Sequence, residues 1–298
     1  MNIKYLGIGL IAFSALFMGC DKEEEKGKSN EKPVAAFNMN REISVITREA
    51  GSGTRDAFIE IAGLLEKTET SKRDLTTQDA ITIDGTQAVM SNVSGNEYAI
   101  GYISLGSLNS STKALKIEGV PVSSETVKDG GYRISRPFNF VTKGKESPLV
   151  LDFIGFVMSA DGQKIAQTNG YIAITEGEAY TPSKISGKIV IAGSSSVAPL
   201  AEKLKEAYIQ INPHVEIELQ INDSSAGILS AKEGTSDIGL ASRDLKESEL
   251  AEVKGLTIAK DGIAVIINHK NPVDNITLEQ LRGIYSGAIK NWGAVLEK

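Results

Sequence analysis

One cysteine, one tryptophan and two histidines among 298 residues leave little material for redox or metal chemistry. A lone cysteine makes no internal disulfide, so the fold must rest on a packed core rather than on cross-links. His214 and His269 stand far apart with no cysteine near either, which argues against a histidine-based metal or catalytic site. A basic excess is missing as well. The balance of 32 Lys and Arg against 38 Asp and Glu gives a net charge of -6, which excludes a general nucleic-acid binder and requires any anion to be caught locally. The apolar run from Leu6 to Met18 is too short to span a membrane comfortably. What remains, 41% hydrophobic and 23% charged, can bury a real core, and the length suits two domains.

Lys4 followed by that apolar run fits the central region of a secretory signal. It ends in "LFMGC", which resembles the lipobox of bacterial lipoproteins, with Gly19 before the acceptor Cys20 and Phe17 where leucine is usual. The alternative is an ordinary signal peptide with a cysteine there by chance. The resemblance implies a lipoprotein signal peptide over residues 1–20 and a lipid anchor, palmitate included, on Cys20. The stretch "DKEEEKGKSNEK", with the Glu23 to Glu25 run, then reads as a charged, solvated tether over 21–40, with the folded part beginning near Arg41.

Beyond Arg41, short β-rich runs alternate with helical patterns. Strands are predicted at 43–47, 99–104, 114–117, 138–142, 188–192, 216–220, 238–241 and 263–268. Helices are predicted at 54–66, 87–94, 148–159, 162–169, 198–211, 227–233, 247–252 and 278–285. The alternation predicts an α/β fold with mostly parallel strands.

Three strand-to-helix turns are rich in glycine and hydroxyls. In "TREAGSGTRDAF", Arg48 is followed by Ser52, Gly53 and Thr54 at a helix start, where unpaired backbone N–H groups and the helix dipole favour an anion. "IVIAGSSSVAPLAEKLKEAY" places Ser194, Ser195 and Ser196 at a second such turn, with Pro199 in the first helical turn. "INDSSAGILSA" supplies Ser224 and Ser225 at a third. Any one of these alone reads as an ordinary cap; three together point to one anion.

With "SDIGLASRDL", "DGIAVIIN", "IYSGAIKNW" and "YAIGYISLGSL", these segments resemble the phosphate-binding proteins of bacterial ABC importers, in the type II periplasmic-binding-protein fold. The familiar order opens with "GSSS" and places "GSGT" after "NW". Here "GSGT" comes first and "NWGAVLEK" ends the chain, so the order looks circularly permuted. The resemblance implies two Venus-flytrap domains: domain A continuous over 138–267, and domain B split into 41–137 plus 268–298. The crossings between them are expected near 136–140 and 264–268. Carried over residue by residue, the phosphate ligands fall on Arg48, Ser52, Gly53, Thr54, Ser195, Ser196, Ser224 and Ser242. Arg48 offers a planar donor fork, and Gly53 allows close backbone approach.

Ser242 departs from the family, in which an aspartate is common at that place. A carboxylate there accepts the proton of hydrogenphosphate and repels sulfate, so serine implies weaker rejection of sulfate or arsenate. Arg243 and Asp244 either compensate or form a surface ion pair. Trp292 and Tyr285 are expected in the core of domain B, and Arg55 on the helix surface or behind the ligand groups. The resemblance implies an extracytoplasmic, lipid-anchored monomer that captures inorganic phosphate and hands it to an ABC permease, without cofactor, metal or nucleic acid. Alternatives are a receptor for sulfate or molybdate, or a phosphate sensor uncoupled from transport. An enzyme is disfavoured because the phosphate-loop pattern with its lysine and the G-x-S-x-G elbow are absent.

Overall fold

Eight strands run in sequence from Ser44 to Ile267 and lie side by side in one sheet. They are Ser44–Arg48 (β1), Ile81–Ile83 (β2), Ala99–Ser104 (β3), Ser135–Thr142 (β4), Gly187–Ser194 (β5), Val215–Asn222 (β6), Ile238–Ala241 (β7) and Lys254–Ile267 (β8). The computed structural model describes residues 36–68 and 71–296. The expected signal peptide, Cys20 and residues 21–35 of the tether lie outside them. Helices are Gly53–Ile61 (α1), Thr86–Gly95 (α2), Pro148–Met158 (α3), Ala160–Thr168 (α4), Ala198–Ile211 (α5), Ser224–Glu233 (α6) and Leu278–Tyr285 (α7), with shorter turns between them.

The spatial order is β6-β5-β7-β4-β8-β3-β1-β2, with Lys113–Ala114 also pairing on β8. β6, β5 and β7 are parallel to one another, as are β3, β1 and β2. β4 and β8 between them pair antiparallel with each other and with their outer neighbours. The sheet is therefore mixed rather than mostly parallel as the alternation predicts, because the two strands joining the halves run in opposite senses. Every residue of β3 is buried, as in a strand covered on both faces.

Register sets where the strand ends meet. Ala241, the last residue of β7, pairs with Asn139, which in turn pairs with Thr257; Ser104, the last residue of β3, pairs with Ile263. The carboxyl ends of the two parallel sets thus face each other across the few residues where only β4 and β8 bridge. At that level Arg136 pairs with Asp261. Open α/β sheets present ligands at carboxyl strand ends, so this gap is where a site belongs.

The hydrophobic residues divide accordingly. Val45, Phe58, Tyr102, Ile263, Val265, Ile267, Tyr285 and Trp292 share one core, with Ile46, Val89, Val93 and Ile266 on the opposite face of that half. Phe138, Phe140, Phe153, Ile191, Leu204, Tyr208 and Ile258 share another, with Val141, Ile228 and Val253 opposite. Strand β8 changes core between Ala259 and Ile263. Trp292 is fully buried and donates to the Tyr98 carbonyl at 3.1 Å.

Several predicted boundaries move. Helix α1 stops at Ile61 rather than Glu66, because Gly63 takes φ 68° and Leu65–Lys67 turns into a hairpin with Lys72–Asp74. β8 begins at Lys254, since its first half pairs with β4 and shows little alternation. The run predicted at 114–117 breaks into Lys113–Ala114 and Lys116–Ile117, and the intervening Leu115 donates to Val265. The chain is already packed at Phe37, whose ring lies 4.9 Å from that of Tyr98, ahead of the expected start near Arg41.

Helix α5 keeps Leu200, Ala201, Leu204 and Tyr208 on one buried face, and Pro199 starts it at no hydrogen-bonding cost. Helix α6 is held by an unusually close approach. A Cβ on Gly227 would stand 2.7 Å from the Gly193 Cα and 2.8 Å from the Ala192 carbonyl, both backbone atoms with nowhere to go. Gly227→Ala is expected to lift α6 off the sheet and cost about 1–3 kcal/mol, read as a lower urea midpoint.

Candidate functional site

The four helix starts that follow β1, β2, β5 and β6 converge on the gap between the strand sets. Ser52 caps α1, its hydroxyl accepting from the Arg55 N–H at 3.3 Å, and leaves Gly53 and Thr54 in the first turn. Asp223 caps α6, accepting from the Ala226 N–H at 2.9 Å, which puts Ser224 at the start of that helix. Each cap leaves the remaining first-turn N–H groups aimed along the helix axis towards the gap.

Across the gap the side chains touch. Arg48 donates from Nη2 to Ser195 Oγ at 3.1 Å, and Thr54 Oγ1 lies 2.8 Å from Ser196 Oγ. On one side of the gap, Ser194 donates to Ser242 Oγ at 3.0 Å, and the Ser242 N–H donates to Ser224 Oγ at 3.0 Å. Gly53 lies against that pair: a Cβ there would come 2.4 Å from Ser224 Oγ and 2.8 Å from Ser242 Oγ. Thus Arg48, Gly53, Thr54, Ser195, Ser196, Ser224 and Ser242 form one cluster drawn from both halves. Ser52 is buried beside it as the cap of α1.

Two residues that the sequence reading misses belong to the cluster. Thr86 lies 3.1 Å from Ser196 Oγ and 3.4 Å from both Ser195 Oγ and Arg48 Nη1. Its signal is "DGTQAV", a fourth glycine and hydroxyl helix start, hidden because β2 before it has only three residues. Glu49 takes Arg48 Nε and Nη2 at 2.7 and 2.6 Å and also accepts from the Gly85 N–H. Burial works to raise the Glu49 carboxyl, but the hydrogen bonds and charge of Arg48 outweigh it and hold the group below the ordinary range.

The guanidinium of Arg48 is 2% exposed, so Glu49 offsets much of its desolvation cost while Nη1 and Nη2 still face the hydroxyls. Arg55 sits behind the cluster, donating to the Arg48 carbonyl at 3.0 Å and pairing with Asp74 at 2.7 Å. Arg243 is neither a surface residue nor paired with the Asp244 carboxylate. It is buried, donates to the Asp244 carbonyl, and pairs with Glu249 at 2.8 Å and with Asp56 of α1 at 3.0 Å. It therefore ties the two sides of the gap at the rim. His214 and His269 are both exposed, and His269 bonds to the Ser110 carbonyl.

On the floor, Arg136 Nη2 meets Asp261 Oδ2 at 3.1 Å, with both side chains fully enclosed. Burial pushes the Asp261 carboxyl up to about 6 against the pull of Arg136, and lowers Arg136.

Because the Glu49 carboxyl lies lower in the folded chain, its stabilising contribution is complete above the ordinary value of 4.5 and is lost as pH falls through the lowered one. Glu49→Gln is therefore expected to narrow the difference in urea midpoint between neutral and acid pH. An unchanged difference would contradict the assignment.

A family model described as a PBP superfamily domain matches residues 28–161 and 178–296. The phosphate-binding protein PstS 2 of Streptococcus agalactiae serotype V is 44% identical over 290 residues, 96% of this chain and 93% of that protein. The Streptococcus pneumoniae serotype 4 protein of the same name is 45% identical over 267 residues, 89% of this chain and 92% of its own length. The crystal structure of a phosphate-binding protein of a phosphate ABC transporter from Streptococcus pneumoniae TIGR4 is similar at a TM-score of 0.69 and 46% identity, covering 85% of this chain and 99% of that one. The chain belongs to the PBP superfamily and, within it, to the family of bacterial phosphate-binding proteins.

Proposed function

We propose that this protein is an extracytoplasmic receptor that captures inorganic phosphate in the cleft around Arg48 and delivers it to an ABC permease. The observation that carries the reading is the contact of Arg48 with Ser195 across the cleft at 3.1 Å, surrounded by hydroxyls from four helix starts. A tetrahedral anion placed there exchanges hydroxyl-to-hydroxyl bonds for charge-assisted ones. Hydrogen bonds to a charged group contribute roughly 1.5–3 kcal/mol each, whereas micromolar binding requires about 8 kcal/mol. About three to six such bonds reach that figure, so the donors gathered here leave a surplus for ordering and closure. The names of the streptococcal relatives support the same ligand.

In this reading the lobes are those the resemblance implies, about 41–137 with 268–298, and 138–267, except that Ile263, Val265 and Ile267 pack with the first, and they close about β4 and β8. We put the second crossing between Ala259 and Ile263, where β8 changes core. Closing the lobes brings Asp56 to Arg243 and shifts the population towards the bound form. The relatives align along nearly the whole chain, so they share its permuted order. The mature receptor is a monomer anchored through a lipid on Cys20. It holds the ligand without transforming it, a role that the names of the streptococcal relatives as phosphate-binding proteins support.

A second reading, a receptor for sulfate or another tetrahedral oxyanion, is favoured by one feature. Ser242 brings a hydroxyl, not a carboxylate, and it is bonded to Ser194 and Ser224. Glu49, the carboxylate in contact with Arg48, is engaged by that guanidinium.

Calorimetry on the protein stripped of anion separates the two. Phosphate is expected to bind at micromolar or tighter affinity, with Arg48→Gln weakening it roughly 10- to 150-fold. Excess sulfate is expected to compete measurably. Binding of sulfate with no heat from phosphate would favour the second reading, and no response to either anion would contradict both.

A further inference from the structure

Arg136 lies at the level where the two sets of strand ends face each other, on one of the two strands that bridge them. Its side chain is 1% exposed. Nη2 is taken by Asp261, and Asp261 is held in turn by Ser104, which donates to Oδ1 at 3.0 Å. The donors at Nε and Nη1 are buried and meet no acceptor among the described residues. The Phe138 ring, 5.3 Å from the guanidinium carbon, offers a π face but no lone pair.

A buried guanidinium with unpaired N–H groups is costly, and a single carboxylate does not satisfy five donors. That carboxylate is itself enclosed, and burial raises it against the pull of Arg136. Burial lowers Arg136 against the pull of Asp261, and the nearby charge of Arg48 adds to the lowering. Two buried cations thus share one enclosed region, each with a single carboxylate partner, and the hydroxyl cluster sits at the same strand ends. Tyr171 lies near the same pair and adds a buried hydroxyl with no hydrogen-bond partner among the described residues, its ring pressed against Gly106, where a Cβ would come 2.3 Å from the phenolic oxygen.

We propose that Arg136 is a second guanidinium ligand of the bound anion, with Asp261 as the positioning residue that holds Nη2 and turns an unpaired N–H towards the cleft. The inference rests on the phosphate reading above and adds to it a ligand from the floor. One arginine then comes from the end of β1 and the other from the bridging strand β4. Closing the lobes onto the anion neutralises both, so occupancy and the geometry of the crossing are coupled.

The test is phosphate calorimetry at fixed ionic strength on the full chain, as wild type, Arg136→Gln, Asp261→Asn and the double replacement, each checked for folding by circular dichroism. Arg136→Gln is expected to weaken phosphate roughly 10- to 150-fold. Asp261→Asn keeps an acceptor for Nη2 and removes a negative charge beside the anion, so affinity is expected to hold or rise. A loss from Arg136→Gln without a loss from Asp261→Asn marks a ligand role; a purely structural pair would weaken binding alike from either side. If Arg136→Gln does not fold, the double replacement decides, because it leaves no orphan carboxylate and should still bind weakly. A double variant within about twofold of wild type would overturn the inference while leaving the phosphate reading intact. Failure of the wild type to bind phosphate would instead remove the reading on which it rests.

Discussion

A fully enclosed guanidinium facing a ring of hydroxyls is the constraint on which the rest of this structure depends. Arg48 cannot be buried cheaply, and its surroundings are arranged around that cost: Glu49 takes one edge, Thr86 and Ser195 the other. Helix starts from both sides add backbone donors and dipoles of the same sign. Such a place has an excess of donors over acceptors, which is the condition an anion relieves.

The sheet explains why the donors converge. Two parallel sets point their carboxyl ends at each other, and the antiparallel pair β4 and β8 passes between them. The helix starts therefore need no long loops to reach a common point. Glycine does the fine placement: Gly53 presses backbone against Ser224 and Ser242, and Gly227 seats α6 on Gly193. Rim contacts such as Asp56 with Arg243 form across the same gap.

Much of this was legible in the sequence because hydroxyl and glycine turns follow strands at recognisable spacing. Ser195, Ser196, Ser224 and Thr54 could be picked from their turns, and α5 and α7 match their predicted spans from Ala198 to Ile211 and Leu278 to Tyr285. Thr86 was not, since a three-residue strand gives no periodicity. Nor was Glu49: a carboxylate next to an arginine looks like any charged neighbour until both are buried. For Arg243 the sequence left two places open, beside the site or in a surface ion pair with Asp244, because its partner Asp56 is remote in the chain and near only in the fold. Burial of Arg136 and Asp261 is likewise a product of register between strands far apart in sequence, and no local pattern announces it.

The central claim is that donors from both sides of the gap hold one tetrahedral anion. The most direct measurement is the position of arsenic in crystals grown with arsenate, read from its anomalous scattering. The account predicts one peak within hydrogen-bonding reach, through its oxygens, of Arg48, Thr54, Ser195 and Ser196. Bound arsenate lying anywhere else on the protein, with those side chains still bonded to one another, would contradict it.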